Sequence, residues 1–307
     1  MNILERVDGA THVPDNRLVE KPSFPKSVKI EITSRCNFKC SYCATNRSKR
    51  PMGEMDLEVY RNLVKNLVSV GVEEFGLFLL GESFILKNLD EYIKIAKDGG
   101  AKYVFITTNG SLCTPERMIK IVESGLDSIK FSVNAGEKER YKEIHGVDAF
   151  ETVVQNIKWL HSYLSDNKID SLKTSVSSIF VPEFKDELES FREMISKYVD
   201  HFYYLPMYSQ GGNVGSVHGS TGNPGRLDNM VDVVPCWMLF NASRVTWDGK
   251  LTACCFDHEA KFIMGDLKED SVMDAWHSEK FIELRKRHLE NNLNDSLCAK
   301  CLGLVKE

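Results

Sequence analysis

The chain has 307 residues, 42% of them hydrophobic and 27% charged, with 44 acidic against 39 basic side chains for a formal net charge of -5. That is the composition of a globular protein able to bury a full core, and it argues against a disordered chain or one that binds nucleic acid through a large basic surface. No apolar run approaches the roughly 18 to 20 residues that span a bilayer, and the N-terminus lacks the basic-then-apolar order of a secretory signal, so a cytoplasmic location is expected, with neither membrane nor nucleic acid as partner.

Residues 1–26 are assigned to an N-terminal extension. SVKIEIT (27–33) then reads as a first strand and runs directly into CNFKCSYC (36–43). A helix follows, with Asp56 as N-cap, Leu57, Tyr60, Val64 and Leu67 on one face, and Gly71 as its stop. EFGLFLLG (74–81) is a second strand, LDEYIKIAKDGG (89–100) a helix closed by glycines, and KYVFITTNG (102–110) a third strand, after which Thr114 and Pro115 open another helix. SIKFSVN (128–134), LKTSVSSIF (172–180) and HFYYLP (201–206) supply strands four to six, with helices near 149–164 and 184–198. Six strand-then-helix units with short connections predict a parallel α/β sheet over 27–207, open or curled into a barrel, with chemistry at the carboxyl ends of the strands. Those ends carry the cysteine loop, Gly81 to Ser83, Thr107 to Gly110, Ser132 to Asn134, and Tyr208 with Gln210. The Gly-rich stretch 208–231 reads as a linker or lid. Residues 232–307 read as a small α+β unit: two short strands joined by a Trp-Asp-Gly turn, helical segments, and a terminal Cys-Ala-Lys-Cys.

Nine cysteines in a chain expected to be cytoplasmic point to metal ligation rather than disulfides. Cys36, Cys40 and Cys43 form one group, Cys236, Cys254, Cys255, Cys298 and Cys301 a second, and Cys113 stands apart. Structural zinc takes four ligands, whereas the first group offers three with no neighbouring fourth. Three thiolates suit a four-iron cluster that leaves one iron without a protein ligand. The second group alone also allows a zinc ribbon, and two four-ligand sites would describe a non-catalytic electron-transfer protein.

The spacing C-x3-C-x2-C after the first strand, Tyr42 before its third cysteine, and Leu-Leu-Gly-Glu-Ser closing the second strand together resemble the radical S-adenosylmethionine (SAM) superfamily. The resemblance implies a partial (β/α)6 barrel with a [4Fe-4S] cluster on Cys36, Cys40 and Cys43 whose open iron binds SAM. Gly81 and Glu82 stand where the family's GGEP motif receives the methionine amino group, with Leu80 for its first glycine and Ser83 for its proline. Ser132 and Asn134 fall where the family contacts the ribose or carboxylate of SAM, and Asn109 ends a neighbouring strand. The segment Cys236 to Cys254 reads C-x12-G-x4-C around Gly249 and resembles the SPASM and twitch extensions, which implies one auxiliary [4Fe-4S] cluster on Cys236, Cys254, Cys298 and Cys301. By the same resemblance the activity is a radical SAM oxidoreductase of dehydrogenase type, fed by a flavodoxin- or ferredoxin-like reductant and acting on a small polar substrate such as a sugar or cyclitol. Alternatives are modification of a peptide, or redox-neutral epimerisation with Cys113 or Cys255 returning a hydrogen atom. Tyr208, together with Tyr203, Tyr204 and Gln210, is a candidate catalytic group by position alone.

Overall fold

Strands and helices alternate as the hydrophobic pattern predicts. The computed structural model describes Arg6, Gly9, residues 11–205, Met207, 234–293 and 297–301; the expected linker 208–231, with Tyr208 and Gln210, lies outside the described residues. The order is β1 (Ser27–Ile30), α1 (Leu57–Ser69), β2 (Glu74–Gly76), α2 (Leu89–Asp98), β3 (Tyr103–Thr108), α3 (Pro115–Glu123), β4 (Ser128–Ser132), α4 (Lys138–His145), α5 (Phe150–Asp166), β5 (Lys173–Ile179), α6 (Lys185–Ile195) and β6 (His201–Leu205). All five successive strand pairs are parallel. Local signals act as read: Asp56 Oδ1 accepts from the amides of Glu58 and Val59 at 2.8 and 3.2 Å, and Gly71 leaves α1 at φ +93°. The buried stripe of α1 is Tyr60, Leu63, Val64 and Leu67. The mostly polar α4 is an addition to the expected elements; only Tyr141, Ile144 and His145 are buried, and Gly146 ends it in the left-handed conformation.

The C-terminal unit continues this sheet. Strand β7 (Ser243–Val245) pairs parallel with β1, and β8 (Lys250–Thr252) and β9 (Ile263–Asp266) follow antiparallel, giving nine strands in the order β6-β5-β4-β3-β2-β1-β7-β8-β9. Gly249 turns the β7–β8 hairpin at φ +86°, which explains the glycine of the cysteine motif. Helices α7 (Val272–Trp276), α8 (Glu279–Leu289) and α9 (Leu297–Cys301) complete the unit. Its anchor is Trp276, fully buried, which donates its indole N–H to the Pro22 carbonyl at 2.9 Å and packs edge-on to Phe24 and Phe281. Arg285 lies 4.1 Å from the Trp276 ring centroid and donates to the Leu239 and Trp276 carbonyls.

A parallel sheet covered on both faces reads as continuous apolar sequence, but here β1, β4 and β5 alternate. Val28, Ile30, Ile129, Phe131 and Val176 are buried in the core, while Ser27, Lys29, Ser128, Lys130 and Ser175 line a cavity on the other face. The curled sheet therefore encloses a lumen in which serines and lysines stand among apolar side chains. No helix among the described residues is long and apolar enough to cross a membrane.

Candidate active site

The cysteine loop leaves β1 and folds over the carboxyl ends of the neighbouring strands. Cys36 is exposed, and Cys40 and Cys43 are half-buried. Burial pushes the Cys36 thiol up to about 11 and raises Cys40 further, and Cys43 adds to both shifts. The three thiols therefore face one another and would repel as thiolates. A polycationic group among them reverses that preference and favours the deprotonated ligands. Among the described residues no three His, Cys, Asp or Glu side chains close to single-ion spacing; a four-iron cluster holds its thiolates farther apart than one ion does.

The Leu80–Glu82 loop presses against the approach to Cys36. A Cβ at Gly81 would overlap the carbonyl oxygens of Thr33 and Arg35, and the Glu82 amide donates to the Arg35 carbonyl at 2.8 Å. Ser83, standing in place of the family's proline, donates its hydroxyl to the Leu77 carbonyl and closes the loop onto the end of β2. Buried Glu82 accepts from Phe84 N at 3.0 Å, Thr108 Oγ1 at 2.8 Å and Asn109 N at 2.7 Å. Burial raises its pKa and these donors oppose the rise. Three of about four carboxylate lone-pair sites are thereby occupied, leaving room for one further donor.

Asn109 donates to Asn37 Oδ1 at 2.9 Å and accepts from Ser111 N and Oγ, while Asn37 donates to Ser111 Oγ at 3.0 Å. This network ties the cysteine loop to the end of β3. Asn134 donates its amide side chain to the buried Tyr42 hydroxyl and accepts from Ile179 N at 2.8 Å, so both residues brace the loop against β4 and β5. Ser132 is half-buried, and no hydrogen bond of its hydroxyl is seen among the described residues.

His145, which the sequence reading missed, sits behind Cys40. Its Nε2 accepts from Asn134 N at 3.3 Å, which assigns the proton to Nδ1, 3.3 Å from Cys40 Sγ. Burial drives its pKa down to about 3, so the ring is neutral at ordinary pH and offers a fixed N–H to the sulfur. A lone histidine ending a polar helix carried no signal; only the fold brings it to the cysteine loop.

In the C-terminal unit Cys254 is half-buried, accepts from Phe256 N at 3.3 Å, and has its pKa raised chiefly by Cys255, then by burial and by Cys236. Cys298 and Cys301 are three apart on α9 and so share a face. Leu293 packs against both Val234 and Cys298, which brings the Cys236 segment and the terminal helix to one place. Of the two spare thiols, Cys113 is fully buried in the core with its sulfur 3.9 Å from Thr108 Oγ1. Core packing shuts it off from any substrate, which corrects its candidacy as a hydrogen donor. Cys255 lines the lumen. Tyr204 donates to Glu189 at 3.0 Å, whereas Tyr203 lines the lumen with its pKa raised to about 12 by burial.

The lumen holds a cavity of about 340 Å³. Its lining includes Thr107 and Lys130, each one inward-facing position, about 7 Å along the strand, before Asn109 and Ser132 respectively, and also Trp237, Met238, Cys255 and Phe256, which adjoin Cys236 and Cys254. The cavity thus reaches residues beside Cys236 and Cys254, and on the other side ends one inward-facing position below Asn109 and Ser132.

Residues 30–195 match the Radical SAM superfamily and residues 236–302 match SPASM, an iron-sulfur cluster-binding domain. The chain belongs to the radical SAM superfamily. It is an enzyme whose cofactors are a [4Fe-4S] cluster with SAM and an auxiliary iron–sulfur cluster. Among particular proteins it is similar to the S-adenosyl-L-methionine-dependent 2-deoxy-scyllo-inosamine dehydrogenase of Niallia circulans, 26% identical over 284 residues that cover 89% of this chain and 91% of that one. A probable GTP 3',8-cyclase of Sulfurisphaera tokodaii is 25% identical over 84% of this chain and 87% of its own length. The crystal structure of BtrN in complex with AdoMet and 2-DOIA shares the fold, with a TM-score of 0.62 at 22% identity, covering 90% and 92% of the two chains.

Proposed function

We propose that this chain is a radical SAM oxidoreductase of dehydrogenase type acting on a small polar substrate, sugar-like or cyclitol-like, held in the barrel lumen. Cys36, Cys40 and Cys43 hold the SAM-binding cluster, and Cys236, Cys254, Cys298 and Cys301 hold the auxiliary one. When bound, these groups supply a 5′-deoxyadenosyl radical that removes a hydrogen atom from an unactivated C–H bond, and an acceptor for the electron left behind as a proton departs.

The protein's own residues do the positioning. Gly81 lets the strand-two loop approach the cysteine loop, Glu82 and Asn109 fix its far side, and Tyr42 with Asn134 braces the near side. Ser132 faces the lumen with its hydroxyl available to SAM. The lumen walls hold the substrate below that rim and keep water and stray hydrogen donors away from the radical. The observation that carries this reading is the cavity, which touches neighbours of Cys236 and Cys254 and runs along the strands towards the ends that carry Asn109 and Ser132. A flavodoxin- or ferredoxin-like protein is the proposed reductant.

One observation favours a second reading. Cys255 lines the cavity, so its thiol could return a hydrogen atom in a redox-neutral epimerisation. The two are separated by sugars and cyclitols deuterated at each carbon in turn. The dehydrogenase reading expects deuterium in 5′-deoxyadenosine, a product two hydrogens poorer than its substrate, and persistence of that product in Cys255→Ala. An isomeric product that disappears in Cys255→Ala supports epimerisation, and deuterium that never reaches 5′-deoxyadenosine sinks both.

A further inference from the structure

Among the described residues the lumen lining carries more positive charge than its neighbours neutralise. Its lining includes Arg6, Lys29 and Lys130 and no aspartate or glutamate. Arg6 is paired with Glu74 at 2.8 Å. Among the described residues Lys29 faces the ring of Phe78, its Nζ 5.3 Å from the centroid, and the Cys255 thiol, with no carboxylate partner, and Lys130 has no ion pair or hydrogen bond. Arg244 is the register partner of Lys29 across the β1–β7 pair, so their side chains share a face. Among the described residues that guanidinium, fully buried, donates only to the Met238 carbonyl at 3.4 Å and has no hydrogen-bond partner for Nε and one terminal nitrogen.

Like charges directly opposite on paired strands destabilise a sheet, and buried cations are ordinarily matched by an acid. Here the cations are close enough to depress one another: burial, then Arg244 and Arg6, lower Lys29, and burial, then Lys29 and Arg6, lower Lys130, both to about 8. Both amines remain mostly charged at neutral pH. Beside them the Ser175 hydroxyl, fully buried against the cavity, makes no well-formed hydrogen bond, its polar neighbour being the Tyr203 hydroxyl. A bound auxiliary cluster, anionic through its thiolates, would offset Arg244 and Lys29 on the β7 side first. Lys130 stands on β4, three strands from β1, and needs a different counter-charge.

We propose that the substrate carries an oxyanion, a phosphate or a carboxylate, and that this group docks between Lys29 and Lys130 with the Ser175 hydroxyl as a further donor. This rests on the reading of the lumen as the substrate site and narrows its substrate class. Ammonium and guanidinium donors to an oxyanion are the stronger kind of hydrogen bond, and the same field repels an amino sugar carrying a net positive charge.

The test uses the anaerobically reconstituted full chain with SAM bound and measures calorimetric binding of glucose 6-phosphate, glucuronate, glucose and glucosamine. At least one of the two anions is expected to bind about tenfold or more tightly than glucose, with glucosamine weakest, and the anion that wins tells phosphate from carboxylate. Lys130→Met, and separately Lys29→Met in case the first fails to fold, should abolish the preference with iron content unchanged. Anions that bind no tighter than glucose, or a preference that survives in a folded variant, overturn the proposal. Release of 5′-deoxyadenosine from the same sample separates the two readings: SAM cleavage without anion preference defeats this inference alone, and anion preference without SAM cleavage defeats the functional reading alone.

Discussion

Exchanging His145 for Phe keeps ring packing against Phe38 and Tyr141 but deletes the N–H that faces Cys40 Sγ and the acceptor for Asn134 N. A donor to a ligand sulfur stabilises the more negative, reduced cluster. His145→Phe should therefore lower the midpoint potential of the N-terminal cluster by on the order of 40 mV, about 1 kcal/mol for one electron. An EPR-monitored redox titration checks this, and an unchanged potential would leave His145 a packing residue. Lys130 carries a pH signature. Its folded pKa is about 8 against an ordinary 10.5, so the folded state binds the proton less tightly than the unfolded one. Burying the charge costs on the order of 3 kcal/mol below pH 8, and that cost fades as pH rises towards 10.5. Lys130→Met should thus exceed wild type in stability at pH 7 and lose the advantage by about pH 10.5, read as the difference between denaturant midpoints. The three cysteines, Gly81 and Glu82 were legible because their spacing follows strand ends. His145, Asn37 and Ser111 were not, since single polar residues acquire a role only when separate loops meet. Cys113 looked available only because the sequence places it near a strand end.

At the scale of elements, the six β/α units were legible from periodicity and their glycine, proline and N-cap punctuation. Three departures have physical reasons. The second strand stops at Gly76 as a ladder element, because beyond one further bond, Leu77 N to the Phe105 carbonyl, the chain turns into the Gly81–Ser83 loop. Helix α4 escaped notice because its sequence, KERYKEIH, has a buried face only three residues wide. Of the C-terminal strands, β7 and β8 were expected but β9 was not, nor was the attachment of β7 to β1; a strand of three or four residues carries little mark of itself or its partner, and an open sheet edge accepts whichever strand the tertiary fold presents. Trp276 and Arg285 hold that attachment in place. Trp276→Ala should cost about 3–5 kcal/mol, seen as a lower midpoint in chemical denaturation together with earlier proteolytic release of the C-terminal unit. A change below about 1 kcal/mol, the central value for point substitutions at large, would mean that the β1–β7 pairing alone holds the unit.

Over the whole molecule, one curled sheet carries a cysteine station at the carboxyl ends of its parallel strands, a second in the unit built on β7 to β9, and a cavity that reaches neighbours of the second. Chemistry on a substrate in that cavity requires the first station to act on SAM. The most direct measurement is 5′-deoxyadenosine formed from SAM by the anaerobically reconstituted chain with dithionite, alongside its iron content. Wild type is expected to hold about eight iron atoms and form the nucleoside, while Cys36→Ala should fall to about four and form none, one four-iron cluster having been lost. Undiminished 5′-deoxyadenosine in Cys36→Ala, or about four iron atoms in wild type, would contradict the assignment of the two stations.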